Sequence, residues 1–134
     1  QKQGSGRILN IASSAALAAA PGYALYAASK AFILEFSHSL AAEVNGNGIS
    51  LSCLIPGPTR TQFCRRAGLR ESPGAMEPKA VARYALDLME RGLPTGTPGI
   101  ANKLKQTLKR LLPFGLWGCL AKWYMMGRIS NANS

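Results

Sequence analysis

A chain of 134 residues that is 47% hydrophobic can form one α/β domain with a real core, and nothing in it resembles a disordered or fibrous composition. Three distant cysteines (Cys53, Cys64 and Cys119), no Cys-x-x-Cys pair and a single histidine, His38, argue against a zinc site and suit free thiols in a reducing cytosol. The net charge of +10 is local: residues 101–134 hold six of the sixteen Lys and Arg and no acid.

In chain order, Gly6-Arg7-Ile8-Leu9-Asn10-Ile11-Ala12-Ser13-Ser14 reads as a short buried strand ending in small hydroxyl residues. Ala15 to Gly22 is Ala-rich, and Pro21-Gly22 breaks it into a loop or short turn. From Tyr23 to Val44, Ala27, Ala31, Leu34, Ser37, Leu40, Ala41 and Val44 recur at helical spacing. Asn45-Gly46-Asn47-Gly48 then ends the helix with residues that tolerate positive φ. Ile49 to Ile55 is apolar or small throughout, as a central parallel strand covered on both faces requires. Pro56-Gly57-Pro58-Thr59-Arg60-Thr61 follows, and Gln62 to Ala75 is irregular, polar and basic. Pro78 to Glu90 is a predicted helix with Pro in its first turn and Val81, Ala85, Leu88 and Met89 on one face.

The tail is amphipathic from Asn102 to Leu112, with Leu104, Leu108, Leu111 and Leu112 set against Lys103, Lys105, Lys109 and Arg110. Pro113 and Gly115 interrupt it, and Leu116 to Met126 continues with Trp117, Trp123 and Tyr124. Only eleven residues, Leu111 to Ala121, run uncharged, where a bilayer span needs about 20. An interfacial helix and a helix packed on the domain both fit this pattern. No nucleic-acid fingerprint accompanies the basic residues, so no nucleic-acid partner is expected.

The chemistry lies in Tyr26-Ala27-Ala28-Ser29-Lys30. On a helix, positions four apart share a face, so a phenol and an ammonium sit about one turn apart. A nearby cation favours a phenolate, which makes such a pair suited to proton transfer at a carbonyl or alcohol oxygen. Ser13 ends one predicted strand, Pro56 follows the next, and Tyr26 opens the helix between them. All three therefore fall on the carboxyl rim of a parallel sheet, where ligands bind in such folds.

Ser13 thirteen residues before Tyr26, the Tyr-x-x-x-Lys pair and the downstream Pro-Gly loop together resemble the catalytic half of the classical short-chain dehydrogenase/reductase family. The resemblance runs from about Gly6 to Phe63 and more loosely to about Gly92. It implies an α/β, Rossmann-like, doubly wound parallel sheet. The chain would be the C-terminal half of that domain (residues 1–99), followed by a basic helical tail (100–134). The Gly-rich turn, the ribose-reading residue and an active-site Asn would belong to a missing N-terminal half, so this chain alone should be inactive.

The family further implies an oxidoreductase that uses NAD or NADP to interconvert a carbonyl and an alcohol. Tyr26 would be the acid or base. Lys30 would ease its ionisation and hold the nicotinamide ribose, so that Tyr26 and Lys30 both border the cofactor. Ser13 would hydrogen-bond the substrate oxygen. Pro56, Gly57, Thr59 and Thr61 would meet the nicotinamide carboxamide, with Thr59 standing where the family usually has an aliphatic residue. Ser14 competes with Ser13 but is less well spaced, and Tyr23 has Ala27 where the lysine should be. Asn10 is expected to be a sheet-edge hydrogen bonder and His38 a surface or interface residue. A solvated role for Arg60, Arg65, Arg66 and Arg70 is favoured over contact with an acidic substrate.

The resemblance also implies a homodimer or homotetramer, and the free thiols suit a cytoplasmic location. Two other readings stand beside the enzyme: a non-catalytic nucleotide sensor of the same fold, and a peripheral membrane protein bound through 100–128. The latter would go with a lipid-like substrate.

Overall fold

A computed structural model of the chain describes residues 4–18, 21–44, 46–66, 72–111, 118–119 and 122–123. Three parallel strands, β1 (Gly6–Ile11), β2 (Ile49–Leu54) and β3 (Thr95–Gly96), form one sheet in the order β1-β2-β3. The helices are α1 (Ala24–Val44), α2 (Gln62–Arg66), α3 (Pro78–Glu90) and α4 (Ile100–Leu111), with a short 3-10 turn at Ser14–Leu17. The α/β doubly wound sheet expected from the sequence is present.

Alternation along β2 separates the two layers. Cys53 and Ile55 pack with Ala12 and Leu34 beneath α1. Leu54 points the other way and packs with Ala85 and Leu88 of α3, bordered by Leu9, Val81 and Tyr84. A polar chain seats α1: Asn10 Nδ2 donates to Ser37 Oγ at 2.9 Å, and Ser37 Oγ donates to the Ile33 carbonyl at 2.6 Å. Asn10 is thus a sheet-to-helix tie. His38, expected at the surface or an interface, is partly buried, with Nε2 3.1 Å from Thr95 Oγ1, because β3 lies within reach of α1. Burial pushes the Cys53 thiol pKa up, opposed by smaller effects of Ser37, the Ala12 backbone and the Lys30 charge. On the other face, a Cβ at Gly96 would lie 2.5 Å from Leu88 Cδ1, so glycine there lets α3 approach the sheet.

The two crossovers run the same way along the sheet, yet α1 and α3 cover opposite faces. They are therefore of opposite hand, an uncommon arrangement in parallel sheets.

Four features differ from the sequence reading or were not part of it. β1 is the edge strand, with Ile8 40% and Ile11 53% exposed, because no other strand pairs with it among the described residues. β3 is only Thr95–Gly96 and carries no apolar run. It pairs because Cys53 N–H donates to the Pro94 carbonyl at 2.9 Å and Ile55 N–H to the Gly96 carbonyl at 2.8 Å. Gln62–Arg66 is helical where irregular chain was expected, and residues 67–71 lie outside the described residues.

The fourth feature is α4, which starts at Ile100 rather than Asn102 and turns its apolar stripe outward, one of the two arrangements the sequence left open. Ile100, Leu104 and Leu108 are 86%, 69% and 55% exposed, while Gln106 is buried and Asn102 half-buried. The outer face of α1 also carries exposed Leu25, Phe32 and Phe36, the two phenyl rings stacked at 5.9 Å. Leu112, Trp117, Tyr124 and the rest of the predicted Leu116–Met126 segment, apart from 118–119 and 122–123, lie outside the described residues. Among the described residues no helix is long and apolar enough to cross a membrane.

Candidate active site

The sheet ladder continues past the strand ends. Ala12 N–H donates to the Leu54 carbonyl at 2.8 Å, and Ser14 N–H to the Pro56 carbonyl at 2.9 Å. These bonds set the Ser13 turn beside the Pro56-Gly57 loop at the carboxyl rim. Ser13 has extended backbone, and its Oγ accepts from Ala15 N–H at 3.2 Å, capping the 3-10 turn.

Tyr26 lies in the first turn of α1, half-buried. Its ring meets Tyr23 edge-on, with centroids 6.5 Å apart, and Phe63 of α2 at 5.4 Å. Lys30 follows one turn later. Its ammonium donates to the Ile11 carbonyl at 3.0 Å and stands 5.9 Å from the Tyr26 ring centroid. The last carbonyl of β1 thus anchors the cation beside the phenol, at a distance where cation–ring attraction is still felt. Tyr26 and Lys30 are brought together as their spacing predicts.

In the loop, Thr59 Oγ1 donates to the Gly57 carbonyl at 3.1 Å, and Thr61 Oγ1 accepts from Phe63 N–H at 3.3 Å at the start of α2. Both hydroxyls have local partners. The loop is further braced by a parallel bridge between Thr59 and Met76. Here Met76 N–H donates to the Pro58 carbonyl and Arg60 N–H to the Met76 carbonyl, each at 2.9 Å. Gly57 is tightly covered: a Cβ there would lie 2.6 Å from Asn102 Cγ. Arg60 pairs with Glu77 at 2.6 Å, and Arg66 donates to Gln62 Oε1 at 3.1 Å. Both Arg60 and Glu77 are more than half exposed, so their pair contributes little to stability. Arg70 lies outside the described residues. Among the described residues no group of three or more His, Cys, Asp or Glu is placed to hold a metal ion.

Sequence reasoning missed the Ile11 carbonyl that holds Lys30, the Phe63 ring on Tyr26, and the two carboxamides of α4. Only the last left a trace, since Asn102 and Gln106 stand four apart on a helix otherwise divided into leucines and cations.

Comparison with known proteins decides the family. The model for short chain dehydrogenase matches residues 1–71, more than half of the 134. The chain belongs to the short-chain dehydrogenases. Among curated relatives, this short-chain dehydrogenase sequence is 37% identical over 84 residues to an uncharacterized oxidoreductase of Escherichia coli K12, YbbO, covering 62% of this chain and 31% of that protein. It is 42% identical over 60 residues to an NADPH-dependent aldehyde reductase-like chloroplastic protein of Arabidopsis thaliana, covering 45% of this chain and 22% of that one. A solved short-chain dehydrogenase from Sphingobium yanoikuyae, in complex with NADPH, superposes with a TM-score of 0.69 at 29% identity. That match covers 84% of this chain and 48% of the other. The chain therefore spans about half of that structure's length and about a third or less of these two curated relatives.

Proposed function

We propose that this chain is the catalytic half of an NAD(P)-dependent oxidoreductase that interconverts a carbonyl and an alcohol. The observation that carries the reading is the Tyr26–Lys30 pair on the sheet rim, with Lys30 anchored to the Ile11 carbonyl two residues before Ser13. The donor set fits a dinucleotide: a lysine ammonium and the backbone of the Pro56–Gly57 loop at the same sheet rim. When bound, the nicotinamide supplies or accepts the hydride. Lys30 would hold the ribose hydroxyls, and the Pro56–Gly57 backbone with Thr59 and Thr61 would meet the carboxamide.

The remaining chemistry belongs to the chain's own side chains. In reduction, the Tyr26 hydroxyl gives its proton to the substrate oxygen, and in oxidation the phenolate takes it back. The Lys30 ammonium stands 5.9 Å from the Tyr26 ring centroid, and the Ser13 hydroxyl would stabilise charge growing on the substrate oxygen. The NADPH held by the Sphingobium yanoikuyae relative makes NADPH the first cofactor to try.

The test is binding and turnover by the full-length protein. Calorimetry with NADPH and NADH should show dinucleotide binding. A panel of aldehydes, ketones and oxoacyl thioesters should yield at least one substrate that consumes the reduced cofactor. No binding of either dinucleotide and no turnover would remove the reading.

A second reading, contact with an anionic lipid surface, rests on the outward Ile100–Leu104–Leu108 stripe beside exposed Lys103 and Lys105. Apolar insertion and about 1 kcal/mol per basic residue near the surface would then act together. It predicts salt-sensitive sedimentation with anionic liposomes that disappears on deletion of residues 100–134. A full-length protein that stays in the supernatant at low salt excludes it.

A further inference from the structure

We infer that Gln106 is a positioning residue: from α4 it fixes the Pro56–Gly57 loop in the place the dinucleotide requires. The inference rests on the functional reading above and adds to it a residue outside the family-matched segment.

A surface helix ordinarily turns its leucines inward and its polar side chains to water. In α4, Ile100, Leu104 and Leu108 face outward, and among the described side chains of the helix the buried one is the carboxamide of Gln106, 9% exposed. Burying an amide costs free energy unless each of its groups finds a partner. Gln106 finds two. Its Oε1 accepts from Thr97 Oγ1 at 2.7 Å, and its Nε2 donates to the Ile55 carbonyl at 3.4 Å. The opposite amide orientation would set Oε1 against the Ile55 carbonyl oxygen, so the two bonds select one orientation.

Both partners lie at strand ends. Ile55 is the residue before Pro56, and its own N–H donates to the Gly96 carbonyl at 2.8 Å. Thr97 is the first residue after β3. Gln106 therefore ties the ends of β2 and β3 to each other and to α4. One turn earlier, Asn102 Nδ2 donates to the Pro98 carbonyl at 3.0 Å and contacts Met76 Sδ at 3.4 Å. Its carboxamide lies over Gly57. The loop is thus held from above at Gly57 and from its root at Ile55. Its backbone is the part proposed to meet the nicotinamide, where small displacements weaken binding.

A leucine at 106 would fill similar space without needing partners, so loss of the amide can be separated from loss of bulk. In the full-length protein, Gln106→Leu removes both hydrogen bonds, while Thr97→Val removes only the hydroxyl that orients the amide. Each should weaken NADPH affinity, measured by calorimetry, about two- to tenfold, the range for losing one or two neutral hydrogen bonds. KM for the dinucleotide should rise by a larger factor than kcat falls. If Gln106→Leu fails to fold, Thr97→Val still tests the point.

A purely structural residue would lower the thermal midpoint and leave the affinity of the folded protein unchanged. That result in the variants overturns the inference. Failure of the unaltered protein to bind any dinucleotide would instead overturn the functional reading beneath it.

Discussion

Tyr26→Phe in the full-length protein should lower turnover by about 10²–10⁴ while the fold and dinucleotide binding survive. The phenyl ring keeps the contacts that Tyr26 makes with Tyr23 at 6.5 Å and Phe63 at 5.4 Å, so packing is retained. Only the hydroxyl is lost, and with it the proposed proton donor. Positioned acid–base groups contribute about 10²–10⁴ in rate, which sets the size of the fall in kcat. Lys30→Ala should behave differently. It removes the ammonium from the Ile11 carbonyl as well as from the Tyr26 ring, so rate and cofactor affinity should drop together. Steady-state kinetics, calorimetry and circular dichroism on the two variants separate these outcomes. Full activity in Tyr26→Phe would show that another group moves the proton.

Leu54→Ala should cost about 2–5 kcal/mol of folding stability, as large-to-small changes at buried leucines do. Leu54 is 2% exposed on the strand shared by both layers, packed against Ala85 and Leu88. Against a typical total of about 5–15 kcal/mol, that loss is large enough to move the unfolding midpoint clearly. Leu104→Ala serves as the control: at 69% exposure its removal should change stability by about 0.5 kcal/mol or less. Urea midpoints of the two variants give the comparison. A cost below about 1 kcal/mol at Leu54 would mean that α3 does not pack as described.

The legible parts of the fold were those where local pattern and tertiary role agree. The 3.6-residue recurrence from Ala27 to Val44 marks α1 because that face carries Leu34, Ser37 and Val44 into the interior. The unbroken apolar or small run from Ile49 to Ile55 marks β2 because only a strand covered on both faces tolerates it. Tyr26 and Lys30 were legible because a helix converts their spacing into proximity. What failed depended on neighbours. Gly6–Ile11 looks like a buried strand, but its burial depends on strands beyond it. Thr95–Gly96 pairs through backbone alone, which leaves no side-chain pattern. The inward turn of Gln106 in α4 goes with bonds to Thr97 and the Ile55 carbonyl, neither of which any helical periodicity encodes.

The opposite hands of the two crossovers divide the labour of the molecule. The chain does not coil around its sheet but threads it like an S, pivoting on β2. One branch, β1 to β2, carries the Tyr26–Lys30 helix and is locked by strand register and by the Asn10–Ser37 tie. The other branch, running from Pro56 to Pro94, lies mainly over the far face and returns to the sheet through only two residues. Its rim-side stretch touches the catalytic helix at Tyr26 through Phe63. That second branch carries both the proposed cofactor loop and the Ala85–Leu88 core beneath α3. The proposed acid–base pair thus sits on one limb of the S and the proposed cofactor loop on the other, and the two meet at β2 and at the Tyr26–Phe63 contact.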